Sequence, residues 1–394
     1  MALRLYDTAQ RAIVPFEPPH TVRIYVCGIT PYDSTHLGHA ATYLTYDLLI
    51  RRLEELGHEV RMVRNITDVD DSILPKAREL GVSYLDLAEA ETARFHSDMA
   101  ALDMRPPISE PRATESVPLI IDLVDRLLTS GHAYLTHGTV YFDVSSFPDF
   151  GKLSHYPEEQ MVRLARARGG NPDDPHRLKP LDFVLWQPSL ADEPAWHTPF
   201  GVGRPGWHIE CSAMAMHAHG ETLDLHGGGT DLIFPHHECE IAQSEALTGK
   251  PFARHWLHSA MVAYEGEKMS KSLGNLVFVS DLLKVADPRA IRLALTRHHY
   301  RSGFEWYDTD LDEGIALLHR LQAAEQADSG PDPAPFAQRV RDAIDNDLDT
   351  PAALDALDDL ASAILSGGTD TTAPAVLCEL GDLLGVDLRS SPSQ

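Results

Sequence analysis

The chain has 394 residues, enough for two or three domains. Hydrophobic residues make up 43% and charged residues 23%, an ordinary globular composition, and no run of about 18 apolar residues could span a membrane. The formal net charge of −26 repels phosphate backbones, which argues against a nucleic-acid partner unless a local basic patch overrides it.

The first residues and the cysteines bear on the location of the protein and on the chemistry of its thiols. Residues 1–10 lack the apolar stretch of a signal peptide, so we expect the protein to stay in the cytoplasm. The four cysteines are too few and too scattered for a disulfide framework. Metal binding or catalysis is the better interpretation for some of them.

A strand, a turn, a helix and a second strand open the predicted structure. Residues 21–27 are rich in β-branched residues and predict a buried strand. A helix is predicted from near Gly38 to about Leu56, where Gly57 ends it, and residues 59–65 predict the next strand. This is a βαβ unit, which favours a parallel sheet and a Rossmann-type α/β fold.

The α/β pattern is then interrupted and resumes later. Residues 70–131 have a helical pattern, residues 133–143 predict a hairpin, and residues 168–180 predict a loop. From Gly206 the predicted elements are a helix, a strand at 222–226, a glycine run, a helix from Pro235, and a strand near 255–263.

The last part of the chain is predicted to be helical. A proline-rich linker spans residues 328–335, and amphipathic helices are predicted at 336–346 and 351–366. The predicted domains are a Rossmann-type catalytic domain (1–110 and 200–265), an α/β insertion (111–199), a connecting region (266–310) and a C-terminal helical bundle (311–394).

Two motifs predict binding of nucleotide phosphates. His36-Leu37-Gly38-His39 begins the first helix, where imidazoles and the helix dipole both favour an anion. Gly38 would let an adenine approach the backbone closely. Lys268-Met269-Ser270-Lys271-Ser272 supplies two lysines that can clamp a pyrophosphate leaving group. Together the motifs resemble the two ATP-binding motifs of class I aminoacyl-tRNA synthetases.

A second set of residues has the chemistry of a zinc site. Cys27 ends the first strand, at the sheet edge where open α/β folds bind ligands, and Cys211 lies in the helix that follows Gly206. His236 and Glu240 are four residues apart, so they share a helix face. Two thiolates and an imidazole, with an oxygen ligand or an open position, suit Zn²⁺. Spacing alone also allows that each cysteine simply packs in the core.

Longer blocks resemble the cysteine-activating branch of class I synthetases. These blocks are residues 27–33 with 36–39, 65–71, 206–212 and 227–238. Two families share them: cysteinyl-tRNA synthetase, and the mycothiol-pathway ligase that joins cysteine to the glucosamine amine of glucosaminyl-inositol.

Three features favour the ligase family. Residues 29–31 and 39–43 look like the ligase, and Arg168-Gly169-Gly170-Asn171-Pro172 resembles one of its elements. The chain after the lysine motif suits a helical bundle and leaves little room for an anticodon-binding domain. Two features depart from the ligase pattern: Ala167 and Asn171 replace acidic residues, and residues 238–243, with Glu240, look more like the synthetase.

The resemblance implies a role for each matching residue. One Zn²⁺ per chain would be held by Cys27, Cys211 and His236, with Glu240 as a candidate fourth ligand, and would bind the substrate thiolate. His36, His39, Lys268 and Lys271 would be catalytic and stabilise the phosphates of ATP, which Mg²⁺ accompanies. The residues implied to bind cysteine or its adenylate are Thr30, Thr42, Asn65, Thr67, Trp207, Gly229, Asp231 and Val262. The base for amide formation stays open among His208, Asp33 and Glu210.

The expected activity is therefore ATP-dependent activation of L-cysteine and transfer to the amine of glucosaminyl-inositol. We expect a monomer with no nucleic-acid partner and no membrane association. A shortened cysteinyl-tRNA synthetase is one alternative, although the arginines after residue 290 are scattered amid acidic residues. An inactive zinc- or cysteine-binding paralogue is another, and the intact histidines and lysines of both ATP motifs argue against it.

Overall fold

The computed structural model describes residues 2–32, 35–269 and 274–389, with the backbone alone at Lys268. Up to residue 129 the elements are β1 (Arg4–Asp7), β2 (Ala12–Pro15), β3 (Thr21–Ile29), α1 (Leu37–Glu55), β4 (Glu59–Ile66), α2 (Ile73–Leu80), α3 (Tyr84–Ala101) and α4 (Val117–Thr129). The next are β5 (Ala133–Thr136), β6 (Thr139–Phe142), α5 (Glu158–Ala167), β7 (Phe183–Gln187), β8 (Trp196–Thr198) and β9 (Gly201–Pro205). They are followed by α6 (Trp207–His219), β10 (Leu225–Gly229), α7 (Glu238–Thr248), β11 (Trp256–Ser259), β12 (Val262–Tyr264) and β13 (Glu267–Lys268). The last are α8 (Val279–Leu282), α9 (Pro288–Thr296), β14 (Phe304–Glu305), α10 (Asp308–Glu325), α11 (Ala334–Asp345), α12 (Thr350–Leu365) and α13 (Ala373–Leu383).

Four parallel strands form the central sheet in the order β11-β10-β3-β4. Helix α1 connects β3 to β4, which confirms the predicted βαβ unit. The pairing of β3 with β4 is irregular between Val26 and Ile29. Within this irregularity a Cβ at Gly28 would lie 1.6 Å from the carbonyl oxygen of Asn65, so only glycine fits.

Alternate residues of β3 face opposite sides of the sheet. Ile24 belongs to the main hydrophobic core, together with Leu48 of α1. Cys27 belongs to the cluster on the other side, together with Cys211 of α6. The strand period therefore directs Cys27 toward α6 rather than toward α1.

A separate five-stranded antiparallel sheet has the order β5-β6-β7-β9-β8. The predicted hairpin at 133–143 is confirmed as β5 and β6. The core of this sheet joins Phe142 and Trp186 to Leu123 of α4, and also to Cys239 and Ala242 of α7. Helix α7 therefore contacts both this sheet and, through Ile241, the cluster that contains Cys27.

The helices near the C-terminus pack on one another and on α1. The predicted helices at 336–346 and 351–366 are confirmed as α11 and α12. Arg292 of α9 is buried and donates to Asp47 of α1 and to the carbonyl oxygens of Leu102 (2.8 Å) and Leu384 (2.7 Å). This guanidinium ties the terminal helices to the helix that begins with the histidine motif. Among the described residues, no helix combines the length and hydrophobicity that crossing a bilayer requires.

Three element predictions were wrong in detail. The strand predicted at 222–226 is β10, which starts at Leu225 and includes the glycine run because Gly227 pairs with both β3 and β11. The strand predicted near 255–263 is divided into β11 and β12, which belong to different sheets. The helix predicted from Pro235 becomes α-helical only at Glu238, because Phe234 is extended (φ −142°, ψ 132°) and a π-turn intervenes.

Candidate active site and metal centre

The carboxyl ends of β3 and β4 bring together three residues predicted to bind the substrate. The amide of Gly28 donates to Oδ1 of Asn65 (2.8 Å), and Nδ2 of Asn65 donates to the hydroxyl of Thr67 (3.0 Å). The hydroxyl of Thr30 donates to Oδ2 of Asp70 (3.2 Å), a buried carboxylate. Thr30, Asn65 and Thr67 are therefore held in place by hydrogen bonds at one edge of the sheet.

Four side chains from separate segments meet at the end of β3. Each of them offers a donor atom, and these atoms all lie within 4.8 Å of one another. The four residues are Cys27 of β3, Cys211 of α6, His236 in the turn before α7, and Glu240 of α7. Oε1 of Glu240 is 3.0 Å from Nε2 of His236 and 3.5 Å from Sγ of Cys27. All four side chains are buried. Thiolate, imidazole and carboxylate are the donor types that bind zinc in proteins, so these residues fit the ion.

The electrostatics of this set distinguish its two thiols. Burial raises the pKa of Cys27 well above its ordinary value, whereas the hydrogen bond from Cys27 lowers the pKa of Cys211 to about 6. Burial disfavours the charge of His236, but Cys211 and Glu240 outweigh it and raise its pKa to about 10. Burial also opposes ionisation of Glu240, yet His226 and His236 lower its pKa to about 2. At neutral pH these shifts favour a thiolate and a carboxylate, the forms that bind a cation, and a protonated His236, whose proton a metal ion would displace.

Two further histidines adjoin the set, and sequence analysis missed both. Nε2 of His226 is 2.9 Å from Oε2 of Glu240, and Nε2 of His237 is 3.3 Å from Sγ of Cys27. With Cys27 and Glu240 they form a second group of four donor atoms that lie within 4.8 Å of one another. Their only sequence signal was their position, one before the glycine run and the other beside His236.

The histidine motif begins α1. His36 is the N-cap residue, and its Nδ1 accepts a hydrogen bond from the amide of Gly38 (3.1 Å). A Cβ at Gly38 would lie 2.8 Å from ring carbon Cε1 of His36, so the glycine is also needed for this cap. The rings of His36 and His39 stack with centroids 4.0 Å apart. Both imidazoles therefore lie at a helix N-terminus, where backbone amides and the dipole favour an anion.

The chain that follows the lysine motif pairs with the start of α1. The amide of Leu37 donates to the carbonyl of Val277 (2.9 Å), and the amide of Val279 donates to the carbonyl of Thr35 (3.1 Å). On its other side the motif starts in β13, which pairs with β12. Lys271 and Asp33 lie outside the described residues, and only the backbone of Lys268 is described.

Four other predicted residues lie around the ends of β10 and β11. The hydroxyl of Ser259 donates to that of Thr42 (2.9 Å). A Cβ at Gly229 would lie 2.6 Å from Oδ1 of Asp231, so this glycine allows the aspartate to approach. Val262 is 1% exposed and belongs to the main core. Its interior position had not been predicted.

The beginning of α6 places an aromatic side chain and two ionisable ones beside the metal set. The indole of Trp207 stacks on the ring of His236, with centroids 4.2 Å apart. Nδ1 of His208 is 3.0 Å from Nδ1 of His236, and burial together with the charge of His236 lowers the pKa of His208. Glu210 is fully buried, its carboxylate oxygens have no hydrogen-bond partner among the described residues, and burial raises its pKa. Burial therefore favours the uncharged forms of His208 and Glu210.

The amino-acid sequence matches one family model over most of the chain and many relatives along almost its whole length. Residues 14–316 match the family model for the class I (C) tRNA synthetase catalytic domain. Relatives from Thermobispora bispora and Gordonia bronchialis are each 49% identical, over 390 and 393 residues. The aligned parts cover 98% of this chain and 96% and 95% of the relatives. Both relatives are named L-cysteine:1D-myo-inositol 2-amino-2-deoxy-alpha-D-glucopyranoside ligase.

Solved structures share the fold at much lower identity. Methionyl-tRNA synthetase from Mycobacterium tuberculosis, in complex with methionyl-adenylate, superposes with a TM-score of 0.69 at 17% identity, covering 94% of this chain and 92% of that one. Arginyl-tRNA synthetase from Thermus thermophilus gives a TM-score of 0.56 at 16% identity, covering 96% and 84%. These likenesses confirm the class I synthetase fold.

Proposed function

The chain belongs to the class I (C) tRNA synthetase catalytic-domain family and, within it, to the L-cysteine:1D-myo-inositol 2-amino-2-deoxy-alpha-D-glucopyranoside ligases, and on this premise we propose its reaction. The protein is an AMP-forming ligase. It activates L-cysteine with ATP as cysteinyl-adenylate and transfers the cysteinyl group to the amine of glucosaminyl-inositol, a step of mycothiol biosynthesis.

One observation carries the proposal: two thiols, an imidazole and a carboxylate meet at the carboxyl end of β3. We assign Cys27, Cys211, His236 and Glu240 as the ligands of one Zn²⁺. When bound, the ion supplies a Lewis acid that stabilises the substrate thiol as a thiolate. Serine offers only a reluctant alkoxide, so this site rejects it without an editing domain.

The activation step needs no nucleophile from the protein. The carboxylate of cysteine attacks the α-phosphate of ATP, and pyrophosphate leaves. His36 and His39 stabilise the transferring phosphates at the N-terminus of α1, and Lys268 and Lys271 stabilise the leaving pyrophosphate, with Mg²⁺ accompanying ATP. The backbone pairing of Leu37 with Val277 supports this assignment, because it joins the chain after the lysine motif to the helix that bears the histidines.

The remaining assigned residues orient cysteine and its adenylate. Thr30, Asn65, Thr67 and Trp207 form the cysteine pocket around the end of β3 and the start of α6. We assign Thr42, Gly229, Asp231 and Val262 to the adenylate, with Asp231 at the ribose or at the substrate ammonium and Val262 beside the adenine.

In the second step the acceptor amine attacks the acyl carbonyl, an amide bond forms, and AMP leaves. His208 is the candidate base that the geometry favours, because it lies beside the metal set at the start of α6 and burial keeps its imidazole unprotonated. Burial raises the pKa of Glu210 and favours its protonated form, which is less suited to that role.

The domain division and the cellular setting are part of the same proposal. We divide the chain into the catalytic domain (1–110 and 200–265), the insertion (111–199), the connecting region (266–310) and the helical bundle (311–394). We propose a monomer in the cytoplasm, where reducing conditions suit a protein with four unpaired cysteines. The net charge of −26 supports an acceptor other than nucleic acid.

Exchange of radioactive pyrophosphate into ATP tests the activation step. We expect exchange with cysteine and, at equal concentration, on the order of 10⁴-fold less with serine. Exchange that is equal for the two amino acids would contradict thiol selection at this site.

A cysteinyl-tRNA synthetase activity is the second candidate, and one observation favours it. Glu240 completes the donor set. An acidic residue at this position is typical of the cysteinyl-tRNA synthetases that the sequence resembles. Cysteine-dependent charging of tRNA would be the sign of that activity.

A further inference from the structure

Arg168 follows α5 and reaches the segment that leads into the metal set. Its Nη1 donates to the carbonyl oxygen of Asp231 (2.6 Å) and also to that of Phe234. Both carbonyls belong to the turns between β10 and α7, and His236 comes two residues after the second one. A single guanidinium therefore bridges the two turns that carry Asp231 and His236.

The sequence Arg168-Gly169-Gly170 ends α5. The amides of Arg168 (3.2 Å) and Gly170 (2.8 Å) both donate to the carbonyl of Ala165. Gly169 has φ +87°, which disfavours any side chain, and a Cβ at Gly170 would lie 2.9 Å from the Ala165 carbonyl oxygen. The two glycines therefore end α5 in a tight turn, and the side chain of Arg168 faces the segment from Asp231 to Phe234.

Hydrophobic contacts fix α5 on the same turn. Phe234 is 1% exposed and forms a cluster with Met161 and Ala165 of α5. Tyr156 packs edge-to-face against Phe234, with ring centroids 6.3 Å apart. The apolar contacts hold the side chain of Phe234, and Arg168 holds the backbone on either side of the turn.

We propose that Arg168 is a positioning residue for cysteine activation, acting through the segment from Asp231 to His236. The inference rests on the proposed function. Hydrogen bonds from a charged donor are stronger than those from a neutral one, and a ligand displaced by about 1 Å can cost a large factor in rate or affinity. Without Arg168 the turn relaxes, His236 leaves its place opposite Cys27 and Cys211, and cysteine binds more weakly.

Three variants test this role. Arg168→Ala removes both hydrogen bonds, and Arg168→Lys keeps the charge with a single donor group. Arg166→Ala is the matched control, since Arg166 lies in the last turn of α5, two residues before Arg168, and among the described residues it forms an exposed ion pair with Asp173 (2.8 Å). The readouts are the KM for cysteine in pyrophosphate exchange and the visible spectrum of the Co²⁺-substituted protein, which reports ligand geometry.

We expect Arg168→Ala to raise the KM for cysteine on the order of tenfold and to change the Co²⁺ spectrum. Arg168→Lys recovers part of both effects, and Arg166→Ala matches the unmodified protein. An unchanged KM and spectrum in Arg168→Ala, or a loss of thermal stability alone, would overturn the proposal. If the unmodified protein showed no exchange, the proposed function would fail, and the Co²⁺ spectra would still decide the role of Arg168.

Discussion

Nε2 of His226 lies 2.9 Å from Oε2 of Glu240, the carboxylate oxygen that does not face Cys27. The other oxygen, Oε1, lies 3.0 Å from His236 and 3.5 Å from Cys27. Histidines outside a metal's ligand shell commonly orient its carboxylate ligands in this way. His226 therefore points one oxygen of Glu240 at the thiols by binding the other.

This relationship predicts different effects for a ligand and for its neighbour. We expect Cys211→Ser to lower the affinity for Zn²⁺ at least ~100-fold and His226→Asn to lower it about tenfold. Cys239→Ala is the control, because Cys239 is buried in the core of the antiparallel sheet instead. Zinc content after competition with a chelator measures the affinity. Full zinc loss in His226→Asn with retention in Cys211→Ser would assign the ion to the set that contains His226 and His237.

Two variants of His36 separate its helix cap from its proposed contact with phosphate. Asparagine is a good N-cap residue, so His36→Asn should keep the stability that His36→Ala loses, about 1 kcal/mol. Both variants should slow cysteine-dependent pyrophosphate exchange by about 10²-fold or more, because neither has the imidazole. Thermal unfolding and exchange rates provide the two measurements. Normal exchange in His36→Asn would show that the residue is only a cap.

Gly385 makes room for the buried guanidinium of Arg292. A Cβ at Gly385 (φ +72°) would lie 2.2 Å from that group, whereas one at Gly81 (φ +69°) would meet nothing within 4 Å. Both Gly→Ala variants carry the same backbone cost, so their difference isolates the clash. We expect Gly385→Ala to lose roughly 2 kcal/mol more in the free energy of unfolding by urea than Gly81→Ala. Equal losses would contradict the close packing of Gly385 against the guanidinium of Arg292.

Asp98 makes stability depend on pH. Burial raises the pKa of this carboxyl to about 6, although the Thr35 hydroxyl opposes the shift. The folded state therefore binds the proton more tightly than the unfolded chain, and the free energy of unfolding falls as pH rises from about 4 to about 6. Asp98→Asn should stabilise the protein by about 1–2 kcal/mol above about pH 7 and not below about pH 4. Asp122→Asn, at a mostly exposed carboxylate, is the control in thermal unfolding. A stabilisation by Asp98→Asn that is equal at both pH values would contradict this assignment.

Local sequence signals predicted the parallel sheet and singled out four side chains that the structure brings together as the metal set. The β-branched run before Cys27 and the glycine after Leu56 each determine local conformation, so β3 and α1 could be located in advance. Strand alternation and helix periodicity act over a few residues, and they do not specify which distant side chains meet.

The rest depends on contacts between distant segments. His226 meets Glu240 because the glycine run is a strand between β3 and β11, which the sequence does not distinguish from a loop. The contact of Arg168 with Asp231 crosses 63 residues and depends on the packing of α5 against Phe234. The burial of Val262 follows from the division of one predicted strand between two sheets. Such arrangements result from tertiary packing, which local conformational propensities do not predict.

The most direct test of the account is the identity of the cysteinyl acceptor. The purified protein is incubated with ATP and cysteine together with either glucosaminyl-inositol or tRNA, and AMP and the cysteinyl product are quantified by mass spectrometry. We predict equimolar AMP and cysteinyl-glucosaminyl-inositol with the amino-sugar, and neither AMP nor product above background with tRNA. Cysteinyl-tRNA without any amide of the amino-sugar would contradict the proposed ligase and establish a synthetase.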